Sequence, residues 1–520
     1  MNASSLLYLL LLSVGLINQL QAQTQVAFPI NRAIFQRNNA NNAAVPITGT
    51  YSVPVTRIEA RVVARSNGQG FTTDFQTIVD NPQGGVFTAQ LVVQGGWYDL
   101  VVRFMRGNDE VARQTVERVG VGEVFVIAGQ SNAQGVRGNT EPAQDDRVNA
   151  INYQYQPAQY PGDAPYPVFT QLNNNNRIAP RGLSSWCWGN LGDLLAQRLN
   201  VPILFFNAAF EGTSIRNWAE SSQGQRTLSD YIPSFYEAGQ PYGSLQIALT
   251  NYTSLVGMRA ILWHQGETDN AFSTTRTQYA DRLNTVIKQS RATSGKAIAW
   301  VVARASYDDV LKSNPAIIGA QNDVIAAGNG VFAGPNTELI QVPRSRAPYF
   351  DAIHFDNPGL RELAVAWNSS LTDAFFSSAT PVAPSPLPTI SVNCPGGNAV
   401  NFTVTNYDNV SWESGESGKS ITKASGQVVR AKVKDAQGNI QYTPYLSVAN
   451  APTVQTAGPA AFCQGGSVQL TSSYNVNNTW STGSTDQAIT VNTTGDYFVS
   501  YKDVSGCTFK SNSLKVTSNP

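Results

Sequence analysis

The sequence predicts an α/β domain built on a parallel sheet, with β-rich segments before and after it. Between residues 119 and 377, short apolar runs typical of buried strands alternate with helical stretches. Upstream of this region, alternating apolar and polar residues indicate antiparallel strands. Downstream of it, the chain repeats itself with a period of about 68 residues, which indicates tandem modules.

Composition and the amino terminus narrow the class of protein. Lys and Arg total 35 and Asp and Glu total 35, so the formal net charge is zero. Because nucleic acids and anionic membranes are bound through basic surfaces, neither is expected as the main partner. The apolar run from Leu6 to Leu16 is too short to span a bilayer comfortably, so residues 1–22 are predicted as a signal peptide. We therefore expect bacterial export to the exterior or cell surface, with no transmembrane segment.

Residues 23–118 are predicted as a small antiparallel β-domain that carries no titratable cluster of its own. Glycine-rich and asparagine-rich turns separate the candidate strands. These strands are Val53–Ala64, Val86–Val93, Trp97–Phe104 and Val111–Val119.

Residues 119–377 are predicted to hold the parallel sheet. The candidate buried strands are Val124–Ala128, Val201–Phe206, Met258–Trp263 and Ala297–Ala303. Helical stretches between them include Gly189–Leu199 and Thr275–Thr293. The segment Val331–Ile340 is left open as a further short strand followed by a loop.

The proline-rich residues 378–388 are predicted to be an extended, semi-rigid linker to two β-sandwich modules. The modules span residues 389–450 and 451–520. The repeat that defines them aligns Trp412 with Trp480 and Gly426 with Gly495.

The four cysteines are interpreted through this repeat. Cys463 and Cys507 fall within the second module and are predicted to form a disulfide, which export permits. Cys394 aligns with Cys463 but lacks a partner in its own module, so we expect it to be unpaired. Cys187 is expected to be a buried thiol, and a bridge between Cys187 and Cys394 is the alternative.

The candidate nucleophile is Ser131, which follows the strand Val124–Ala128 within three residues. Open α/β sheets bind ligands at the carboxyl ends of their strands, where the backbone N–H groups of the turn also point. A serine there can be presented beside its own oxyanion donors. The alternative is that Ser131 only caps the following helix.

Three further polar blocks support the nucleophile hypothesis, and at least two of them follow predicted strands. They run from Asn207 to Trp218, from His264 to Asp269, and from Asp351 to Phe355. Because the carboxyl ends of parallel strands share one edge of a sheet, the blocks are expected to converge there.

Acyl transfer needs a base, a group that orients the base, and donors for the oxyanion. Asp351 and His354, three residues apart, can supply the orienter and the base. The candidate oxyanion donors are the N–H groups of Ser131 and Gly212 and the side-chain amide of Gln265. A glycine is expected at the second of these because the backbone must come close to the substrate.

The choice of base is between the only two histidines of the chain. Each has a carboxylate three residues away, so spacing leaves both possible. His264 adjoins Gln265, and one short turn is not expected to supply both the oxyanion donor and the base. We therefore predict His354 as the base.

These blocks resemble the SGNH (GDSL-like) hydrolase superfamily, and within it the sialate O-acetylesterase and carbohydrate acetylesterase branch. The matching residues are Gly129 to Asn132, Gly212-Thr213 with Trp218, Trp263 to Asp269, and Asp351 with His354. The resemblance implies a three-layer α/β/α sandwich and a triad of Ser131, His354 and Asp351. The flanking modules resemble immunoglobulin-like modules of bacterial surface proteins that handle glycans.

The resemblance implies an exported esterase that removes O-acetyl groups from a carbohydrate, either sialic acid or a plant or host polysaccharide, without a cofactor. Four residues are expected to bind substrate or to support the site: Asn132, Glu267, Arg216 and Trp218. No ligand spacing indicates a metal. Glu211 stands where the family has glycine, and it is expected to narrow the substrate range or lower the activity. The alternative function is an inactive glycan-binding or surface-adhesion protein.

Overall fold

The computed structural model describes residues 24–138, 140–153, 164–173, 176–308, 311–340, 344 and 353–520. The predicted signal peptide and Asp351 lie outside these residues. Among the helices described, none combines the length and the apolar character that crossing a membrane requires.

The amino-terminal strands form two sheets. A three-stranded antiparallel sheet has the order β1-β3-β6, and the other strands join a larger sheet. The strands are β1 (Thr24–Phe28), β2 (Ile34–Gln36), β3 (Asn42–Tyr51), β4 (Arg57–Ala64), β5 (Gln76–Asp80), β6 (Val86–Gln94), β7 (Gly96–Arg106) and β8 (Asp109–Gly129). The four strands predicted from the sequence are all present, with shifted ends.

Strand β8 is 21 residues long and belongs to both the amino-terminal unit and the α/β region. Its first part pairs antiparallel with β7 up to Val121. Its last part, from Glu123 onward, pairs parallel with the strands that follow in the chain. The boundary expected at residues 118 and 119 therefore falls inside one strand, and the amino-terminal unit shares its sheet with the α/β region.

The α/β region continues this sheet in the order β10-β9-β11-β8-β12-β13-β14. The strands are β9 (Val148–Ile151), β10 (Phe169–Gln171), β11 (Ile203–Asn207), β12 (Ala260–His264), β13 (Ala299–Arg304) and β14 (Val331–Asn336). The helices are α1 (Ser131–Gln134), α2 (Trp188–Leu199), α3 (Ile215–Ser222), α4 (Tyr242–Ile247), α5 (Thr253–Val256), α6 (Glu267–Ala271), α7 (Arg276–Ser294), α8 (Pro315–Ala326), α9 (Asn357–Ser370) and α10 (Asp373–Ser378). A π-helix, Ala248–Tyr252, and a 3-10 turn, Thr337–Leu339, complete it. The predicted parallel strands are confirmed. The segment left open, Val331–Ile340, begins with the strand Val331–Asn336.

Alternate side chains of the parallel strands enter two separate apolar cores. Val126 and Trp263 belong to the core that includes Trp218 and Leu283 of helices α3 and α7. Phe125, Ile127 and Leu262 belong to the opposite core, which the side chains of α2 and α9 complete. Helices therefore cover both faces of the sheet, and the apolar runs of the sequence reflect burial on both sides.

A cluster of three charged side chains lies where the pairing of β8 changes from antiparallel to parallel. The Glu123 carboxylate accepts hydrogen bonds from Arg259 Nε at 2.8 Å and from Arg259 Nη2 at 2.9 Å. Arg37 Nε donates to the same carboxylate at 2.8 Å. Removing Glu123 would leave the buried Arg259 without its carboxylate, so this group ties the amino-terminal chain to β8 and to the start of β12.

The proline-rich linker lies against the α/β region over part of its length. Val382 and Met258 exchange backbone hydrogen bonds of 2.8 and 2.9 Å, and Ser385 N donates to Ser254 O at 2.7 Å. The first module continues this contact, because Gln441 Nε2 donates to Ser254 O at 2.7 Å. The linker therefore docks the first module on the α/β region.

The carboxy-terminal region consists of short strands in small sheets. They are β15 (Ile390–Gly396), β16 (Ala399–Val404), β17 (Asn409–Trp412), β18 (Ser420–Ala424), β19 (Val428–Val429), β20 (Ala431–Lys434), β21 (Ile440–Tyr442), β22 (Leu446–Ser447), β23 (Val454–Thr456), β24 (Ala461–Cys463), β25 (Val468–Ser472), β26 (Asn478–Trp480), β27 (Ala488–Val491), β28 (Gly495–Tyr497), β29 (Val499–Lys502), β30 (Thr508–Lys510) and β31 (Leu514–Asn519). The repeat is visible in the structure. Trp412 Nε1 and Trp480 Nε1 each donate at 2.8 Å to a carbonyl six residues further on, at Gly418 and Asp486.

The predicted disulfide between Cys463 and Cys507 is wrong. Cys507 is bonded to Cys394, whereas Cys463 is free and exposed. The physical reason is that Cys507 packs in the core of the first module together with Phe509 of β30. From the sequence, Cys507 was expected to pair within its own module and Cys394 to be unpaired. The observed bond instead joins the two modules. Cys187 is a buried free thiol, as expected.

We expect peptide mapping without reduction to recover a crosslink between Cys394 and Cys507. Closing a loop of 113 residues is worth about 4 to 5 kcal/mol in the chain-entropy model. Cys463 should react with iodoacetamide in the folded protein, and Cys187, as the internal control, only after unfolding. Recovery of a Cys463–Cys507 peptide would contradict the observed pairing.

Candidate functional site

The polar blocks that follow the parallel strands meet at one cleft. Its volume is about 500 Å³, and Ser131, Gly212, Glu267 and His354 all line it. Ser131 follows β8, Glu267 follows β12, and His354 reaches the cleft from the segment before α9. The convergence expected from the sequence is confirmed for these residues, while Asp351 lies outside the part of the chain that the structure describes.

A tight turn presents Ser131 at the end of β8. Gly129 has a φ of 128°, and a Cβ there would lie 2.0 Å from the His264 carbonyl oxygen. Gln130 N donates to that same oxygen at 3.0 Å. Ser131 begins α1 and lines the cleft. The turn therefore needs a glycine and places Ser131 at the cleft.

Gly212 lies across the cleft, in a left-handed backbone conformation with a φ of 65°. A Cβ at this position would be 3.7 Å from the nearest protein atom, in the ring of Tyr231. The left-handed backbone conformation favours glycine here, and the protein itself leaves room for a Cβ. Tyr236 fixes the turn by donating its hydroxyl to Gly212 O at 2.8 Å.

Gln265 does not face the cleft, so its prediction as an oxyanion donor is wrong. Its side chain is fully buried beneath the site. Its Nε2 donates to Asp269 Oδ2 at 2.5 Å and lies 3.2 Å from both Thr213 O and Gln130 Oε1. Because these protein acceptors occupy the N–H groups of its side-chain amide, Gln265 supports the turns that carry the other residues of the site.

Glu267 forms a buried network with Asn132 and His264. Its Oε1 accepts from Asn132 Nδ2 at 2.9 Å and lies 3.4 Å from His264 Nε2. Burial alone would raise the pKa of the Glu267 carboxyl, but hydrogen bonds from His264 and Asn132 lower it to about 2. Glu267 therefore holds the two residues in place, as expected of a supporting group.

The two histidines have different environments. His264 is 1% exposed and contacts Glu267, whereas His354 lines the cleft together with Ser131. A base must approach the nucleophile from the cleft, so the geometry favours His354 for this role.

Asn132 and Arg344 position the segment that carries His354. Asn132 Nδ2 donates to Ile353 O at 3.2 Å, and Arg344 Nη1 donates to the same oxygen at 2.9 Å. The Arg344 guanidinium also stacks on the Phe355 ring at 4.2 Å. Asn132 was expected from the sequence as a substrate-binding or supporting residue. Arg344 was missed, since a single arginine in a loop carries no pattern.

Arg216 and Trp218 support the site from α3. Arg216 Nη2 bonds to Asp230 Oδ1 at 2.7 Å, and Arg216 Nη1 bonds to Glu220 Oε2 at 2.9 Å. Trp218 is fully buried, and its Nε1 donates to Thr213 Oγ1 at 2.9 Å. Neither side chain lines the cleft, so both act through the loops that they hold.

Residues 121–368 match the family model described as carbohydrate esterase, sialic acid-specific acetylesterase. Over these residues, the chain is similar to that family. The family predicted from the sequence is therefore confirmed, over nearly the range expected. Among curated proteins, no match was found.

Solved structures similar to this chain come from several organisms. A carbohydrate acetylesterase from Xanthomonas citri is 15% identical, with 81% of this chain and 97% of that one covered and a TM-score of 0.41. A protein from Arabidopsis thaliana is 13% identical, with 49% and 98% covered and a TM-score of 0.32. A family 3 carbohydrate esterase from Clostridium thermocellum is 12% identical, with 49% and 98% covered and a TM-score of 0.27.

Several residues that line the cleft were not expected from the sequence, among them Tyr231 and Asp308. Tyr231 and Asp308 both lie outside the four polar blocks. Each belongs to a segment without strand or helix periodicity, so no pattern in the sequence singled it out. Among the described residues, no group of three or more His, Cys, Asp and Glu side chains could hold a metal ion.

Asp269 links the two loops beneath the esterase cleft. Its Oδ2 accepts from Ile215 N at 2.8 Å and from Gln265 Nε2 at 2.5 Å. Burial raises the pKa of the Asp269 carboxyl to about 6, although these hydrogen bonds oppose the shift. An unfolded chain releases this proton near pH 4, so the folded state holds more protons between about pH 4 and 6.

We therefore expect the contribution of Asp269 to stability to fall as the pH rises from 4 to 6. Asp269→Asn carries no charge, so its melting temperature relative to the wild type should increase across that window. The change is worth on the order of 3 kcal/mol. Thermal unfolding at a series of pH values measures it, and any pH-independent cost of the substitution cancels. A difference in melting temperature that stays flat across this window would contradict the prediction.

Proposed function

We propose that this chain is a serine esterase that removes O-acetyl groups from carbohydrates. The observation that carries the proposal is the single cleft lined by Ser131, Gly212 and His354, in a domain of a carbohydrate acetylesterase family. The cleft volume of about 500 Å³ is in the range of sites for small ligands and can hold a sugar unit with its acetyl group.

In the proposed reaction, Ser131 Oγ attacks the acetyl carbonyl carbon while the His354 imidazole takes the serine proton. The N–H groups of Ser131 and Gly212 donate to the carbonyl oxygen as it becomes negative. The sugar oxygen leaves with the proton from His354, and the acetyl group remains on Ser131. Water then attacks the acetyl-serine with His354 again as base, which releases acetate and restores the serine.

Asp351 is proposed as the residue that orients His354. Its place three residues before His354 supports this, as does the engagement of the other nearby carboxylate. Glu267 already bonds to Asn132 and lies beside His264, so it serves the floor of the site. A carboxylate that holds the imidazole in one tautomer is needed for efficient general-base catalysis.

We also propose that the protein is exported, on the basis of the apolar amino-terminal run from Leu6 to Leu16. A disulfide between Cys394 and Cys507 agrees with an oxidising compartment. The substrate would then be a glycan outside the cytoplasm, and the carboxy-terminal modules could contact the glycan or a cell surface.

We expect the purified protein to release 4-nitrophenol from 4-nitrophenyl acetate, and Ser131→Ala to lose this activity by about three orders of magnitude or more. The matched substitutions His354→Gln and His264→Gln then identify the base. His354→Gln should lower kcat by orders of magnitude. His264→Gln keeps a donor for Glu267 and should retain far more turnover.

Circular dichroism of each variant controls for folding. If folded His354→Gln turns over normally while His264→Gln is inactive, the base is His264. If the wild type cleaves no acetyl ester, the chain is a glycan-binding protein with an inactive hydrolase domain.

A further inference from the structure

One side of the cleft is an exposed apolar rim. Tyr231, Ile232 and Phe235 are 55%, 59% and 52% exposed in the loop between α3 and α4, and Phe272 is 45% exposed after α6. Water-soluble proteins bury most large apolar side chains, and an exposed cluster beside a cleft marks a surface that binds something. We call Tyr231 and Phe272 the aromatic rim.

The loop that carries Tyr231 is fixed at its base. Arg216 Nη2 donates to Leu228 O at 2.8 Å and to Asp230 Oδ1 at 2.7 Å. Ser214 Oγ donates to the other oxygen of Asp230 at 2.6 Å. The apolar side chains above these bonds are therefore held in the exposed position, so that a ligand would pay little ordering entropy on binding.

The Tyr231 ring stands beside the proposed reaction centre. Its Cδ2 lies 3.7 Å from where a Cβ of Gly212 would be, and its hydroxyl is 3.4 Å from Thr268 Oγ1. Phe272 packs edge-on against it, with ring centroids 5.0 Å apart. A sugar whose acetyl group is held at Gly212 and Ser131 would therefore lie next to the Tyr231 ring.

The charged side chains that line the cleft are acidic. They are Glu211, Glu267 and Asp308, and no Lys or Arg of the described ranges joins them. Arg181 lies 3.9 Å from Glu211, but it is only 8% exposed and stacks on Phe210. A substrate carboxylate placed in this cleft would face these like charges.

We propose that Tyr231, backed by Phe272, binds the apolar face of the sugar that carries the scissile acetyl group, and that Glu211 and Asp308 select uncharged acetylated sugars over those with a carboxylate near the acetyl group. Sialic and uronic acids would therefore be poor substrates. This inference rests on the proposed esterase function and specifies its substrate class.

The aromatic rim is tested with neutral acetylated xylo-oligosaccharides and 4-nitrophenyl acetate. Tyr231→Ala should lower kcat/KM on the oligosaccharide about tenfold, mainly through KM, and should lower it less on the small ester. Tyr231→Phe keeps the ring and should retain most of the activity. Ile232→Ala, an exposed apolar residue of the same loop that does not line the cleft, is the matched control. Equal losses on both substrates, or none for Tyr231→Ala, would overturn the role of the rim.

Charge selection is tested with a matched pair of sugars, the peracetylated methyl glucuronoside as free acid and as methyl ester. Acetate release by the wild type should favour the methyl ester by about three- to tenfold at low salt, and the preference should shrink as salt is added. Glu211→Gln with Asp308→Asn should bring the ratio close to one. Glu362→Gln, an exposed change on α9, should leave the ratio unchanged.

The outcomes separate this inference from the proposed function. A wild type that prefers the free acid, or a double variant with an unchanged ratio, overturns charge selection while acetate release still supports the esterase. A wild type that releases acetate from neither sugar and cleaves no acetyl ester overturns both.

Discussion

The fold depends on one continuous strand, β8, which belongs to two structural units. Its first part pairs antiparallel with β7, and its last part lies between β11 and β12 in the parallel sheet. The Glu123 carboxylate, where pairing changes, is bound by Arg259 and Arg37. Because Ser131 follows this strand directly, the amino-terminal unit and the α/β region together fix the nucleophile. Removing residues before 119 would cut the strand that carries the site.

Within the site, the residues that support the surrounding turns differ from the residues that line the cleft. Asn132, His264 and Gln265 are buried; the amide groups of Asn132 and Gln265 donate to protein carboxylates, and His264 Nε2 lies 3.4 Å from Glu267 Oε1. Ser131 and His354 line the cleft. Such a division is expected of a preorganised site, since donors and bases act well only when other groups have already fixed their positions. Each histidine stands near a glutamate or aspartate in the sequence, but only one of the two stands at the opening.

The sequence predicted what depends on short-range pattern. Apolar runs located the parallel strands, polar residues after them located Ser131 and Gly212, and the pair of Asp351 and His354 near the end of the domain located the second histidine. It did not predict the partners of Gln265, because an amide beside a site can face either the ligand or the support beneath it. The disulfide was mispredicted because the repeat indicates which cysteines correspond, whereas pairing depends on how the modules pack. Tyr231 contacts Thr268 and Phe272, which are distant in sequence, and Arg344 acts through contacts within a segment that has no regular periodicity, so neither residue belongs to a recognisable pattern.

The exposure of the aromatic rim contrasts with the junctions between the structural units, where apolar side chains are covered. The linker pairs Val382 with Met258, and the module core takes in Phe509 from the neighbouring module. Tyr442 of the first module packs on Tyr166 of the α/β region at 5.0 Å. A chain that covers its apolar surfaces at each of these junctions leaves Tyr231 and Phe272 open beside the candidate nucleophile. Their exposure is therefore better explained by a ligand than by an incomplete core.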